Sequence, residues 1–163
     1  MIPETVGGLP THALIVHFVV VLMPLSILAF AGTGWRADLR RNFSLPVALL
    51  ALAALVAAFV ATESGEALQD SVREAAGTRV NFGDHPEDGE LARNVAAVFA
   101  LVSIGFWAAV AYRERLKLPP WAPTAIYGLG CIVGLLGLFA VISAGHSGST
   151  LVWKDLGNFV KPK

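Results

Sequence analysis

The chain has 163 residues, of which 55% are apolar and only 15% are charged, well below the roughly 25% of a soluble domain. Its 12 basic and 12 acidic residues balance, so no positive field remains for a nucleic-acid partner. The single Cys131 excludes a disulfide framework and a thiolate metal cluster, and it suits a small apolar contact between helices. Length and composition therefore predict one domain, residues 1–163, embedded in a lipid bilayer.

Four segments reach the roughly 20 apolar residues that a membrane-spanning helix needs. They are residues 11–33, 46–62, 91–111 and 124–144. Pro46, Pro86 and Pro123 are expected near helix starts, while Gly34 and Gly145 suit helix ends. The pattern predicts an all-α membrane protein, an antiparallel four-helix transmembrane bundle.

Stripes of small residues on the second and fourth spans indicate close packing between helices. They recur at four-residue spacing, as Ala53, Ala57 and Ala61, as Ala54 and Ala58, and as Gly130 and Gly134. Small side chains let helix backbones approach closely in lipid. The same stripes leave a homodimer open as an alternative use.

The charges of the connections predict the orientation of the bundle. Both short connections are basic, with Arg36, Arg40 and Arg41 in one and Arg113, Arg115 and Lys117 in the other. The long connection from Glu63 to Arg93 holds eight acids and three arginines. The positive-inside rule places the basic connections in the cytoplasm and both termini outside. Since the N-terminus lacks the basic segment of a cleavable signal peptide, the first span is expected to be retained.

Two features outside the spans also carry a prediction. Residues 64–76 show apolar positions at helical spacing and are expected to form a short outer amphipathic helix that Gly77 ends. The segment after residue 144 is too polar to cross the membrane again, and Trp153 beside Lys154 suits an interfacial anchor.

The four histidines of the chain fall toward one membrane face. His12 and His17 lie near the outer end of the first span, His85 at the outer start of the third, and His146 just past the outer end of the fourth. A polar ring in lipid is costly unless it is bound, so we favour a shared site over a coincidence of four separate histidines, of which His12, His85 and His146 could each simply stabilise a helix end. His12 and His17 are about 140° apart around a helix, so both cannot face one atom without distortion.

Two occupants suit imidazoles without thiolates. A b-type haem takes two axial histidines, with His17 first and His146 or His85 opposite, and with Arg93 or Lys154 beside the propionates. Alternatively, a Cu or Zn ion takes three or four of the set His12, His17, His85 and His146. Glu63, Ser64 and Glu66 are candidates to support either site.

A third alternative has no cofactor. The histidines then form a hydrogen-bonded polar cap in a structural or accessory subunit of a membrane complex. The sequence shows neither a nucleophile with its base nor a phosphate-binding loop, and it lacks the mid-membrane charge typical of a transporter. It leaves enzymatic activity open.

Several short motifs carry a resemblance over nearly the whole chain. They are Leu9-Pro10-Thr11-His12 through His17-Phe18, Ser64-Gly65, His85 ahead of Leu91-Ala92-Arg93, and Gly145-His146-Ser147-Gly148 with Trp153. The chain resembles a bacterial family of small four-span predicted membrane proteins of unknown function. Members are sometimes fused to Rieske or cytochrome c modules.

The resemblance implies redox partners, such as respiratory or cytochrome proteins, and a place in the bacterial inner membrane. It singles out His12, His17, His85 and His146 without assigning their role. The chain departs from the family pattern at Ala13 and Val19, where prolines are usual, and at Ser149 and Trp153. These departures affect helix geometry more than ligands.

Overall fold

Four long helices form an antiparallel bundle in the computed structural model, which describes residue 3 and residues 5–153. They are α1 (Thr11–Thr33), α2 (Ala37–Ala76), α3 (His85–Ala111) and α4 (Ala122–Trp153). Each contains a stretch that is long and apolar enough to cross a membrane. Successive helices pack on one another, and α4 closes the bundle against α1. The predicted all-α fold is confirmed.

The interior is built from large side chains on α1 that lie against glycines of α4. A Cβ added to Gly137 would lie 2.6 Å from Cε of Met23, and one added to Gly134 would lie 2.9 Å from Cγ2 of Ile27. Phe30 packs in the same way against Gly130. The glycine stripe therefore acts inside the bundle, since any side chain there would separate α1 from α4.

Alanines of α2 make the corresponding contact on the other side of the interior. Ala51, Ala54, Ala58 and Ala61 are all buried. Ala53 is exposed, so the packed face of α2 is the one that carries Ala54 and Ala58.

The bounds of α2 differ from the expectation at both ends. The helix begins nine residues before Pro46, which lies inside it. An interior proline is tolerated in a membrane helix because neighbouring groups satisfy the freed backbone, so Pro46 was the wrong start signal. Residues 64–76 are helical, but they continue α2 and form no separate helix; Gly77 ends it with φ +61° and donates to the carbonyls of Arg73 and Glu74.

The length of α2 shows why this continuation leaves the bilayer. Its 40 residues extend about 60 Å, twice the roughly 30 Å of a hydrocarbon core. The apolar part of α2 ends at Thr62. The acidic part that begins at Glu63 therefore extends beyond the hydrocarbon core.

The helix α4 also runs further than expected, past Gly145 to Trp153. The expectation of a helix end at Gly145 is wrong because this glycine lacks the positive φ of a helix-ending glycine such as Gly77. The hydroxyls that follow donate back to helix carbonyls. Ser147 donates to Ala144, and Ser149 and Thr150 both donate to His146. Trp153 is exposed, while its suggested companion Lys154 lies outside the described residues.

A short hairpin, β1 (Thr5–Val6) and β2 (Leu9–Pro10), leads into α1. Gly7 and Gly8 form its two-residue turn with φ +60° and +82°, a conformation that glycine adopts without strain. The hydroxyl of Thr11 donates to the carbonyl of Pro3 over 2.5 Å. This contact ties the hairpin to the first turn of α1, next to His12.

Candidate functional site: a histidine pair at one end of the bundle

Two histidines from different helices meet at the end of the bundle where α1 and α3 begin, which we call the histidine end. The ring centres of His12 and His85 are 5.9 Å apart, and their planes are inclined by 76°. Both side chains are half-buried. The bundle therefore joins residues 73 positions apart in the sequence into one imidazole pair.

The orientation of His12 is fixed by α2. Its Nδ1–H donates to the carbonyl of Ala61 over 2.8 Å, because a carbonyl only accepts. Gly65 lies one turn further along α2, and a Cβ there would be 2.9 Å from the same Nδ1. Gly65 thus leaves the space that the imidazole occupies.

The orientation of His85 is fixed by α4 in the same manner. Its Nδ1 lies 3.3 Å from Oγ of Ser147, and this hydroxyl donates to the carbonyl of Ala144. The Ser147 hydroxyl thus lies between Nδ1 of His85 and the carbonyl of Ala144. A Cβ at Gly148 would lie 2.7 Å from Cε1 of the ring, so a glycine again leaves space for an imidazole.

These contacts determine which ring nitrogens are available. In His12 Nδ1 carries the proton that is donated to Ala61, so Nε2 keeps its lone pair. In His85 it is Nδ1 that the Ser147 hydroxyl contacts. Metal-binding histidines usually donate their other ring N–H to a protein acceptor, which holds the ring in place. His12 and His85 both have such a contact at Nδ1.

A hydrogen bond between helices reinforces the pair. The hydroxyl of Ser143 on α4 donates to Oδ1 of Asp88 on α3 over 2.9 Å. Asp88 is one turn from His85, and Ser143 is one turn from Ser147. Hydrogen bonds between membrane helices contribute about 0.6 kcal/mol on average, so this one helps to set the register of α3 on α4.

The other two histidines do not join the pair. His17 is exposed on α1, and its Nδ1–H donates over 2.6 Å to the carbonyl of Ala13 in the same helix. His146 is exposed on α4. The sequence-based choice of His17, with His146 or His85 opposite, therefore does not match the pair of neighbouring rings, although all four histidines lie toward the histidine end.

The remaining described candidates lie toward the same end and form no hydrogen bond with either ring. Ser64 is buried and donates to the carbonyls of Val60 and Ala61, whereas Glu63 and Glu66 are exposed. Arg93 is half-buried on α3, two turns from His85. Among residues 5–153, no three His, Cys, Asp or Glu side chains are grouped so that they could hold a metal ion.

Sequence reasoning did not assign a role to Gly65, Ser147 or Gly148. Ser64-Gly65 and Ser147-Gly148 stood out only as short motifs. The glycines themselves could have indicated the site. A glycine inside a helix costs about 1 kcal/mol relative to alanine, so its presence indicates that a neighbouring group packs closely against the helix backbone. The partner in each close approach is an imidazole, which only the packing of the helices reveals.

Comparison with known proteins agrees with this architecture. No curated protein and no solved structure matches the chain. A family model described as "Predicted membrane protein (DUF2231)" matches residues 8–159, a range that includes all four helices and both histidines of the pair. Four membrane-spanning helices and this match over nearly the whole length show that the chain belongs to the DUF2231 family of predicted membrane proteins, whose function is unknown.

Proposed function

We propose that this protein is a membrane-embedded electron-transfer protein that binds b-type haem through His12 and His85. The proposal depends on one observation, the 5.9 Å separation of two imidazole centres whose Nδ1 atoms are both bound by the protein. When bound, the haem supplies one-electron oxidation and reduction.

The separation of the rings fits two ligands of one metal ion. An imidazole nitrogen binds a metal at about 2.0–2.1 Å, which places its ring centre roughly 3 Å from the ion. Two imidazoles that held one ion between them would have ring centres roughly 6 Å apart, close to the observed 5.9 Å. Gly65 and Gly148 leave the space that the two imidazoles themselves occupy.

The number of donors favours haem over a free ion. A haem would need only two ligands from the protein, the number that His12 and His85 would provide. Structural zinc takes four protein ligands and catalytic zinc takes three, more than this pair provides in the described residues. Copper or zinc binding by the histidines remains the alternative, and an accessory subunit without a cofactor is the third.

The remaining parts of the proposal concern charge and orientation. Arg93 on α3 carries the guanidinium that would pair with the propionates of a bound haem. The basic connections at the opposite end support a cytoplasmic position for that end. The histidine end then faces outward, where we expect respiratory or cytochrome proteins to exchange electrons with it.

The test is the haem content of purified variants. The full chain is produced in bacteria supplied with a haem precursor, and the absorbance of each sample is recorded before and after dithionite reduction. We expect a Soret band in the wild type that is lost in His12→Ala and in His85→Ala. The matched control is His17→Ala, which removes an exposed imidazole from the same helix and retains the band.

Other outcomes separate the alternatives. Equal Soret bands in all four proteins would remove His12 and His85 as ligands. Stoichiometric copper or zinc without a Soret band, lost in the same two variants, would replace haem with a metal ion. A folded wild type that takes up neither haem nor metal would leave the accessory-subunit alternative.

A further inference from the structure

A third imidazole, that of His17, lies on the lipid-facing side of α1. It is exposed and shares this side with Val21 and Leu28, which are 59% and 65% exposed. His17 lies six residues after Thr11, about 9 Å along a helix whose 23 residues extend about 34 Å. Since the hydrocarbon core is roughly 30 Å thick, the ring of His17 faces acyl chains.

The hydrogen bonding of His17 leaves one ring nitrogen without a partner. Its Nδ1–H donates over 2.6 Å to the carbonyl of Ala13, so Nε2 is the acceptor of the neutral ring. Within the described part of the chain, no group donates to Nε2. An acceptor turned toward hydrocarbon without a donor is costly, and a polar side chain at this depth therefore indicates a function.

The missing donor has to come from the lipid side of α1. A second copy of the chain does not supply it through this face, because in a symmetric contact His17 would meet another acceptor. The neighbouring exposed side chains, Ala13, Phe18 and Val21, are apolar. A lipid-soluble molecule with a hydroxyl group does supply it. Ala13, one turn before His17, is the smallest of these side chains and leaves room beside the imidazole.

The position of His17 relative to the histidine pair narrows the class of molecule. His17 follows His12 by five residues, about 7.5 Å along the axis of α1, and the two rings lie on different sides of this helix. A molecule bound at His17 is thus separated from the proposed haem by α1 alone. Hydroquinones dissolve in lipid, donate an O–H hydrogen bond, and release electrons as their protons leave.

We propose that His17 binds a membrane hydroquinone and accepts its protons, an inference that rests on the proposed haem function. Oxidation of one hydroquinone to the quinone releases two electrons and two protons. The electrons pass one at a time to the haem iron, which changes from ferric to ferrous each time and is reoxidised by an electron-carrier protein at the outer face. Each O–H bond loses its proton to Nε2, and the protons leave to water at the histidine end.

The first test measures binding without haem, so it does not depend on the proposed function. Decylubiquinol, a synthetic hydroquinone, and its dimethyl ether, which has no O–H donor, are each titrated anaerobically into the haem-free full chain in detergent and followed by calorimetry. We expect the hydroquinone to bind about fivefold more tightly than the ether, the contribution of one hydrogen bond. His17→Phe should remove this preference, whereas His146→Phe, which replaces an exposed imidazole of α4, should retain it.

The second test measures electron transfer in the haem-loaded protein. Oxidised wild type and His17→Phe are mixed anaerobically with decylubiquinol, and the absorbance of the reduced haem is followed over time. We expect His17→Phe to be reduced about a hundredfold more slowly, because the proton acceptor is lost. Dithionite, which needs no binding site in the protein, should reduce both at the same rate.

The parts of the proposal fail in different ways. Binding at His17 is overturned if the ether binds as tightly as the hydroquinone, or if His17→Phe keeps the preference. The hydroquinone assignment is overturned if decanol, an alcohol without redox chemistry, binds as tightly. Proton transfer to Nε2 is overturned if both haem-loaded proteins are reduced at equal rates. A preference for the hydroquinone in a chain that takes up no haem would support the binding site and contradict only the proposed function.

Discussion

Replacing Gly65 by alanine tests whether α2 holds the ring of His12 in place. The new Cβ would lie 2.9 Å from Nδ1 of His12, closer than such contacts allow, so the ring has to move. Moving it breaks the 2.8 Å hydrogen bond from Nδ1 to the carbonyl of Ala61. The substitution therefore acts on the histidine pair without removing either histidine.

The expected change in the free energy of unfolding of Gly65→Ala is the sum of two opposing effects. Alanine is favoured over glycine inside a helix by about 0.5–1 kcal/mol. The lost hydrogen bond costs about 0.5–1.5 kcal/mol, and the Ala61 carbonyl keeps its contact with Ser64. The two effects nearly cancel, so Gly65→Ala should leave the free energy of unfolding close to that of the wild type.

A matched control separates the two effects. Gly89 is also helical and lies at the same end, but a Cβ there meets nothing within 4 Å. Gly89→Ala should stabilise the protein by about 0.5–1 kcal/mol. The expected difference between the two variants is therefore about 1 kcal/mol, which reversible unfolding in mixed micelles followed by circular dichroism can resolve.

A double variant isolates the contact itself. When His12→Ala has removed the ring, Gly65→Ala has no collision left and should stabilise the protein as much as Gly89→Ala does. If Gly65→Ala is equally stabilising with and without His12, the close approach of Gly65 to the imidazole is not real, and the reasoning about the pair fails.

Three further substitutions, one of them with a control, test contacts between the helices and the end of α2. Phe30→Ala should lower the free energy of unfolding by about 3–5 kcal/mol, because the ring is 1% exposed and its centre lies 5.2 Å from that of Phe106; a loss below 1 kcal/mol in micelle unfolding would contradict this. Ser143→Ala removes the hydrogen bond to Asp88 and should lower the free energy of unfolding by roughly 0.6–1.7 kcal/mol in the same assay. Its control, Ser71→Ala, removes a bond to Ala67 within one helix and should lower it less. Gly77→Ala should cost about 1 kcal/mol because of its positive φ, and unchanged stability would contradict the left-handed helix end.

Much of the fold follows from the sequence because apolar length is a strong signal in a membrane protein. The span predicted at residues 11–33 and the helix α1 have the same bounds. The wrong helix bounds arose where a single proline or glycine was taken as a helix boundary although the surrounding structure continues the helix. Pro46 indicates a helix start in water, but in a membrane helix an interior proline is tolerated. Gly145 indicates a helix end, but it lacks a positive φ and the helix continues through it to Trp153.

The candidate site was predictable only in part. Periodicity indicates that His12 and His17 cannot face the same atom, and the structure places one inside the bundle and the other outside. His17 was the preferred ligand only because it lies deeper in the apolar span than the other histidines. The sequence does not give the rotation of α1 about its axis, which decides which histidine faces the other helices. That rotation is set by contacts such as Phe30 on Gly130, which are distant from the histidines.

The most direct test of the account is the absorbance of the purified protein, because its central claim is that His12 and His85 jointly bind one haem. We predict a Soret band in the wild type and in His17→Ala, and its loss in both His12→Ala and His85→Ala. A band that survives both substitutions in folded protein, or that disappears with His17 instead, would contradict the claim.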